Sequence, residues 1–148
     1  MDRSVLDTDI FSEVLERKNG TVVGHAEEYL RHHGRFTITA VTVLEVVAGW
    51  QRLQREDRVQ EFLGRLPEFE VLLFDADAAV QAGRIEGDLT RLGRTVGRAD
   101  SMIAAIAASR ALPLVTGNTA HYSRIRDLGV SLKLADWRSA SVPATGGG

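Results

Sequence analysis

Residues Gly97 to Tyr122 read GRADSMIAAIAASRALPLVTGNTAHY. Asp100 heads an apolar helical run, and Ile103, Ala104 and Ala107 share its face. A carboxylate placed there is held against a core instead of facing bulk water. The run passes into a short strand over Pro113 to Thr116, which ends in Thr116-Gly117-Asn118. An acid-headed helix followed by a buried strand and a polar loop sets the pattern for the rest of the chain.

Working outward, Arg3 to Asp7 (RSVLD) predicts a short buried strand that also ends in an acid. Thr8 or Asp9 is expected to cap a helix through Phe11, Val14 and Leu15, closed by Asn19-Gly20. A second helix runs from Thr21 to His33 and stops at Gly34, which leaves His32 and His33 at a polar helix end. Phe36 to Thr39 is a strand, followed by the helix TVLEVVAGWQRLQ. Glu45 lies in that helix among Val43, Leu44, Val46 and Val47, a second carboxylate in apolar company. A polar helix over Asp57 to Leu66 ends at Pro67, and FEVLLF (Phe69 to Phe74) reads as a strand covered on both faces. Asp75 or Asp77 caps the next helix, carrying Val80, Ile85, Leu89 and Leu92. Beyond the opening stretch come a short helix near Tyr122 to Arg126 and a last strand over Val130 to Leu134. Strands alternating with helices predict an α/β fold, a three-layer α/β/α sandwich on a central parallel sheet of four to five strands. Its site is expected at the C-terminal ends of the strands.

Composition narrows the functional classes. At 148 residues, 44% hydrophobic and 26% charged, the chain holds one ordinary core. A single domain is expected over residues 1–138, with a flexible tail over 139–148. The absence of cysteine rules out disulfides and thiolate metal sites and fits a reducing, cytoplasmic setting. No segment approaches the roughly 18 apolar residues of a membrane span, and the N-terminus enters a strand without a signal-peptide pattern. With 18 basic and 20 acidic residues the net charge is −2, so affinity for a polyanion cannot rest on bulk positive charge.

Taken singly, each notable polar residue has an ordinary structural role. Asp7 or Asp9 can cap a helix, Asp100 can be a first-turn acid, Glu45 can pair with an arginine and Asn118 can sit in a turn. Taken together they ask for more. If the first and fourth strands are central neighbours, Asp7, Glu45, Asp100 and Asn118 meet at one end of the sheet. Carboxylates gathered so closely repel unless a cation holds them, and hard oxygen donors select Mg²⁺ or Mn²⁺. The chemistry that suits such a site is phosphoryl transfer to water. Thr116 can orient the water or a carboxylate, and Asp9 can support Asp7 or act as a weak ligand.

The strings VLDTDIFSEVL, TVLEVVAGW and GRADSMIAAIAASRALPLVTGNTAHYSRI resemble the PIN-domain ribonucleases, in particular VapC-type toxins of toxin–antitoxin modules. The resemblance runs from about Arg3 to Trp137. It implies a Mg²⁺- or Mn²⁺-dependent endoribonuclease, a homodimer, silenced by a VapB-like antitoxin that covers the active site. On that pattern Asp7, Glu45 and Asp100 match the three family acids, Thr116 matches the polar residue of the fourth motif, and Asn118 falls on the fourth acidic position. Asp9 stands where the family often has asparagine, and His121 where it is frequently acidic; one tight ion and at most one weak one are expected. Arg84, Arg91, Arg94 and Arg98 precede Asp100, and Arg94 and Arg98 are candidates to contact RNA phosphates, the alternative being a solvated helix face. Trp50 and Phe11 are read as core residues, with an antitoxin groove as the alternative. Three other readings compete: a HAD-like phosphotransferase with Asp7 as nucleophile and Lys133 as partner, a receiver-like domain built on Asp75 and Lys133, and a catalytically silent PIN fold that only binds.

Overall fold

In the computed structural model, which describes residues 1–139, the elements follow one another as β1 (Val5–Leu6), α1 (Thr8–Glu16), α2 (Gly20–His33), β2 (Thr37–Thr39), α3 (Ala40–Arg52) and α4 (Glu56–Arg65). A one-turn 3₁₀ helix at Leu66–Glu68 leads into β3 (Glu70–Leu72), α5 (Ala76–Arg91), α6 (Arg98–Ser109), β4 (Leu114–Val115), α7 (Thr119–Arg126) and β5 (Leu134–Ala135). Every strand pair is parallel, in the order β3-β2-β1-β4-β5. The central pairing is β1 with β4, registered Val5 to Leu114 and Leu6 to Val115. Most of the expected tail, residues 140–148, lies outside the described residues.

Two-residue strands suffice at the centre because both of their faces are buried. Side chains alternate across a strand, so Val5 and Leu114 enter one core while Leu6 and Val115 enter the other. The first core packs them against Ile103, Ile106, Ile85 and Leu89 of α6 and α5. The second surrounds Ile38 with Ile10, Phe11, Val22, Tyr29 and Phe62. Phe11 is fully buried and meets Phe69 edge-on at 5.0 Å, which makes it a core residue. Trp137 is 4% exposed, stacks on His25 and packs on Tyr29, so the end of the described chain is pinned to α2.

Several local expectations change. Asp7 itself, not Thr8 or Asp9, caps α1: its Oδ1 accepts from Thr8 N at 2.8 Å while its backbone is still extended. Asn19, expected to end a helix, begins one, accepting from the Thr21 and Val22 amides. The FEVLLF strand lies at a sheet edge, with Glu70 and Val71 half-buried and Leu73 65% exposed. Both of its faces are nonetheless packed, Leu72 in one core and Phe69 with Val71 in the other, as expected; Leu73 lies beyond the strand, and Val80 of α5 is exposed as well. The last strand begins at Leu134, not Val130, because its ladder to Leu114 and Val115 starts there.

Since Ile106 is fully buried between α6 and the sheet, Ile106→Ala is expected to cost about 2–5 kcal/mol through the cavity it leaves. Urea unfolding with an unchanged m-value is the measurement that checks it.

Candidate active site

The C-terminal ends of β1 and β4 stop level with each other, and the site grows from there. Asp7 N donates to Val115 O at 2.8 Å, which extends the central ladder by one bond past β1. That bond turns the Asp7 carboxylate toward the β4 loop, where Thr116 Oγ1 donates to Asp7 Oδ2 at 2.7 Å. The same hydroxyl accepts from Asn118 N at 2.9 Å and is fully buried. Thr116 therefore orients a carboxylate and a loop; it does not face water.

Asp100 sits in the first turn of α6, where the positive helix end favours a carboxylate. Its Oδ1 accepts from the Tyr122 hydroxyl at 3.3 Å, and its Oδ2 lies 2.9 Å from His121 Nδ1. The Asp7 carboxylate also acts on this phenol electrostatically, so the ring stands near both acids. Burial and the charges of Asp7 and Asp100 push its ionisation far above the usual tyrosine range, which leaves it a fixed donor. Asn118 turns its amide to His121, with Nδ2 at 2.8 Å from Nδ1.

Glu45 is held separately. Thr8 Oγ1 donates to Glu45 Oε1 at 2.7 Å and lies 2.9 Å from Thr42 Oγ1, which in turn lies 3.5 Å from Thr39 Oγ1. A hydroxyl has one proton, so the Thr8 bond to Glu45 obliges Thr42 to donate to Thr8 and Thr39 to donate to Thr42. The chain of hydroxyls thus points one way, toward the carboxylate.

Asp9 accepts from Ile10 N and, through Oδ2, from Gly117 N at 3.0 Å. Arg138 adds a cation: its Nε and Nη2 hold Glu13 Oε1 at 2.8 and 2.7 Å, and Nη2 stands 3.5 Å from Asp9 Oδ2. The guanidinium lies against Gly117, where a Cβ would collide with it and come 2.9 Å from Asp9 Oδ2. A larger residue at 117 fits only if the arginine's end swings aside.

Burial pushes the Asp7 carboxyl up to about 7, with the charge of Asp9 and, less, that of Asp100 adding to it against the Thr116 and Thr8 hydrogen bonds. Burial raises Asp9 too, opposed by the Ile10 and Gly117 amides and by Arg138. Negative charge at this end of the sheet therefore exceeds what the protein's own donors offset. Among the described residues no three His, Asp or Glu side chains stand close enough together to hold a metal ion by themselves. The donors at hand, carboxylate and amide oxygens beside an under-compensated charge, fit a hard divalent cation.

Sequence reasoning named Asp7, Asp9, Asp100, Thr116 and Asn118, and the structure brings them to one strand edge with Glu45 on the neighbouring helix. Arg94 and Arg98 are exposed and paired, with Asp127 at 3.1 Å and Glu86 at 2.9 Å. Trp50 is half-buried beneath Arg58 and lines a shallow groove with Leu15 and Phe62. Tyr122, Thr8, Thr42 and Arg138 were missed. The signal for Tyr122 was its place one helical turn after Asn118; for Arg138 it was the uncompensated extra charge at Asp9. Lys133 rules against the phosphotransferase reading: it shares a hollow with Asp2, Arg3 and Pro113 at the N-terminal ends of the strands, opposite to the end that carries Asp7.

The model of the PIN domain family matches residues 4–128. The chain belongs to the PIN-domain family. This PIN domain is 34% identical over 141 residues to the tRNA(fMet)-specific endonuclease VapC of Shigella flexneri, covering 93% of this chain and 99% of that one. It is 35% identical over 115 residues to ribonuclease VapC5 of Mycobacterium tuberculosis, covering 76% and 80% respectively. Among solved structures, the DNA-bound VapBC of Salmonella typhimurium resembles it with a TM-score of 0.76 at 30% identity, over 93% of this chain and 99% of that one.

The raised Asp7 carboxyl sets a pH dependence for the metal-free PIN domain. Between 3.8 and about 7 the folded state keeps a proton that the unfolded chain has released, so stability falls as pH rises through that window. The loss has an upper bound of about 4 kcal/mol. Asp7→Asn keeps the cap and removes the charge. In chelator its Tm is expected to exceed the wild type's by several degrees at pH 8 and to match it near pH 4, as thermal scans across pH would show.

Proposed function

We propose that this PIN domain is a Mg²⁺- or Mn²⁺-dependent endoribonuclease that hydrolyses RNA phosphodiester bonds as the toxin of a toxin–antitoxin pair. The observation that carries the reading is the gathering of Asp7, held by Thr116, and Asp100, held by Tyr122 and His121, with Asn118 beside them, at the C-terminal end of the central strands. Caps and turns explain each residue alone but not their convergence. The relatives named endonuclease or ribonuclease VapC support the activity, and the VapBC assembly supports a VapB-like antitoxin as partner. A homodimer is part of the same proposal. Among the described residues no helix is long and apolar enough to cross a membrane.

Asp7, Asp100, Asn118 and Glu45 would hold the cation. Bound there, it supplies Lewis-acid activation of water and counter-charge for the phosphate. The remaining work belongs to the chain. Thr116 fixes the Asp7 carboxylate, Tyr122 fixes Asp100 without ionising, and the Thr39–Thr42–Thr8 hydroxyls aim at Glu45. The guanidinium of Arg138 offsets Asp9 and Glu13 at the site's edge, so that an incoming phosphate meets less repulsion. Arg94 and Arg98 can turn to RNA phosphates by exchanging exposed ion pairs, which are worth little in water.

Cleavage of structured RNA with Mg²⁺ or Mn²⁺ tests the proposal. Asp7→Ala and Asp100→Ala are expected to abolish measurable cleavage, as is chelation; activity that persists in either variant or in chelator sinks it. Thr8→Val, which releases Glu45 without touching Asp7 or Asp100, is expected to lower cleavage by about 10- to 100-fold while the fold is kept.

A further inference from the structure

His121 lies in the first turn of α7, three residues after Asn118, and its ring contacts the acid cluster instead of standing free. Nδ1 is 2.9 Å from Asp100 Oδ2 and 2.8 Å from Asn118 Nδ2. These two contacts cannot both be hydrogen bonds with the amide nitrogen turned inward. If Nδ1 carries a proton it satisfies Asp100 and faces a second donor at Asn118; if it carries a lone pair it satisfies Asn118 and faces a carboxylate. A half-turn of the amide presents Oδ1 instead. The cluster then consists of a carboxylate oxygen, an amide oxygen and an imidazole nitrogen, three lone-pair donors around at most one proton. A protonated Nδ1 can then donate to both oxygens, and a deprotonated one leaves three lone pairs converging on a space that a cation can take.

We propose that His121 Nδ1 is itself a ligand of the cation, beside Asp100 and Asn118, making the site a mixed nitrogen–oxygen set that prefers Mn²⁺ to Mg²⁺. The inference rests on the cation-dependent reading above and adds the ligand and the selectivity. Spacing permits it. Octahedral ligands at about 2.1 Å from an ion stand about 3.0 Å apart along each edge, close to the 2.8 and 2.9 Å found here. Access supports it as well: the His121 side chain is 39% exposed and that of Asp100 20%, so an ion can enter without the helix moving. The chemistry follows from donor type. Mg²⁺ wants oxygen and dehydrates reluctantly, whereas first-row transition dications gain from an imidazole nitrogen. An acid at this position would leave an all-oxygen set and no such preference.

The test uses the full chain loaded with Mn²⁺ and read by pulsed EPR, with titrations of Mn²⁺ and Mg²⁺ alongside. The wild type is expected to show ¹⁴N modulation from one coordinated imidazole. His121→Gln is expected to lose it and to bind Mn²⁺ about tenfold more weakly while Mg²⁺ affinity changes about twofold or less. His32 is exposed beside Glu28 and His33 half-buried beside Met1 and Tyr29, so the signal must vanish in this variant to be assigned to His121. His121→Glu separates a ligand from a structural partner. As a ligand position it binds again, without nitrogen coupling and with selectivity moved toward Mg²⁺. As a mere ion-pair partner of Asp100 it would repel that carboxylate, unfold more easily and leave the Mn²⁺ to Mg²⁺ ratio where it was. Bound Mn²⁺ without nitrogen coupling in the wild type, or an unchanged ratio in both variants, overturns the His121 assignment alone. Mn²⁺ that binds equally well to Asp7→Asn and Asp100→Asn proteins overturns the cation site itself.

Discussion

The pairing of β1 with β4 is the constraint on which the molecule depends. Because Leu6 registers with Val115, the next residues in line, Asp7 and Thr116, are neighbours by construction. A shift of one residue would send Val5 and Leu6 into each other's cores and carry the Asp7 carboxylate to the wrong face. Burial of both faces forbids that shift, since all four paired side chains are at most 1% exposed. The geometry of the acids is thus set by apolar packing a few ångströms away, and no polar residue has to choose it.

What packing positions, electrostatics opposes. A carboxylate with 5% exposure has given up most of its hydration, and Asp9 and Asp100 make matters worse. The protein answers with local donors placed at element ends. Asp7 and Asp9 lie at the N-terminal end of α1 and Asp100 in the first turn of α6, where unpaired amides and the helix dipole favour negative charge. Thr116 and Tyr122 add hydroxyls, and Arg138 offsets the outermost pair. The compensation is incomplete at Asp7, and that shortfall is what gives a divalent cation its proposed place.

Much of this was legible in the sequence, for identifiable reasons. The helix over Asp100 and the strand after it follow from a continuous apolar face, and the central place of the first and fourth strands follows from the handedness of crossovers. Glu45 stood out because Val43, Leu44, Val46 and Val47 surround it. Periodicity could not distinguish an edge strand from a central one: FEVLLF is apolar but for Glu70, yet its strand lies at the sheet edge. Nor could it show which of Asp7, Thr8 and Asp9 caps α1, because all three are competent caps and the choice belongs to the ladder bond from Asp7 N to Val115 O. Arg138 was invisible for another reason. Its role exists only because Trp137 anchors the chain's end between His25 and Tyr29, a contact of long sequence separation.

Those separations bear on how the protein is made. Thr116 is 109 residues from the Asp7 carboxylate it holds, and Arg138 is 125 residues from Glu13. Synthesis proceeds from the N-terminus, so β1 and β2 are available to pair long before β4 exists. A nascent chain carrying Asp7 and Glu45 has no Asp100, no Tyr122 and no strand to complete the sheet's centre. The site can close only when nearly the whole domain has left the ribosome. Assembly from both ends of the chain therefore delays completion of the acid cluster until the domain itself is complete.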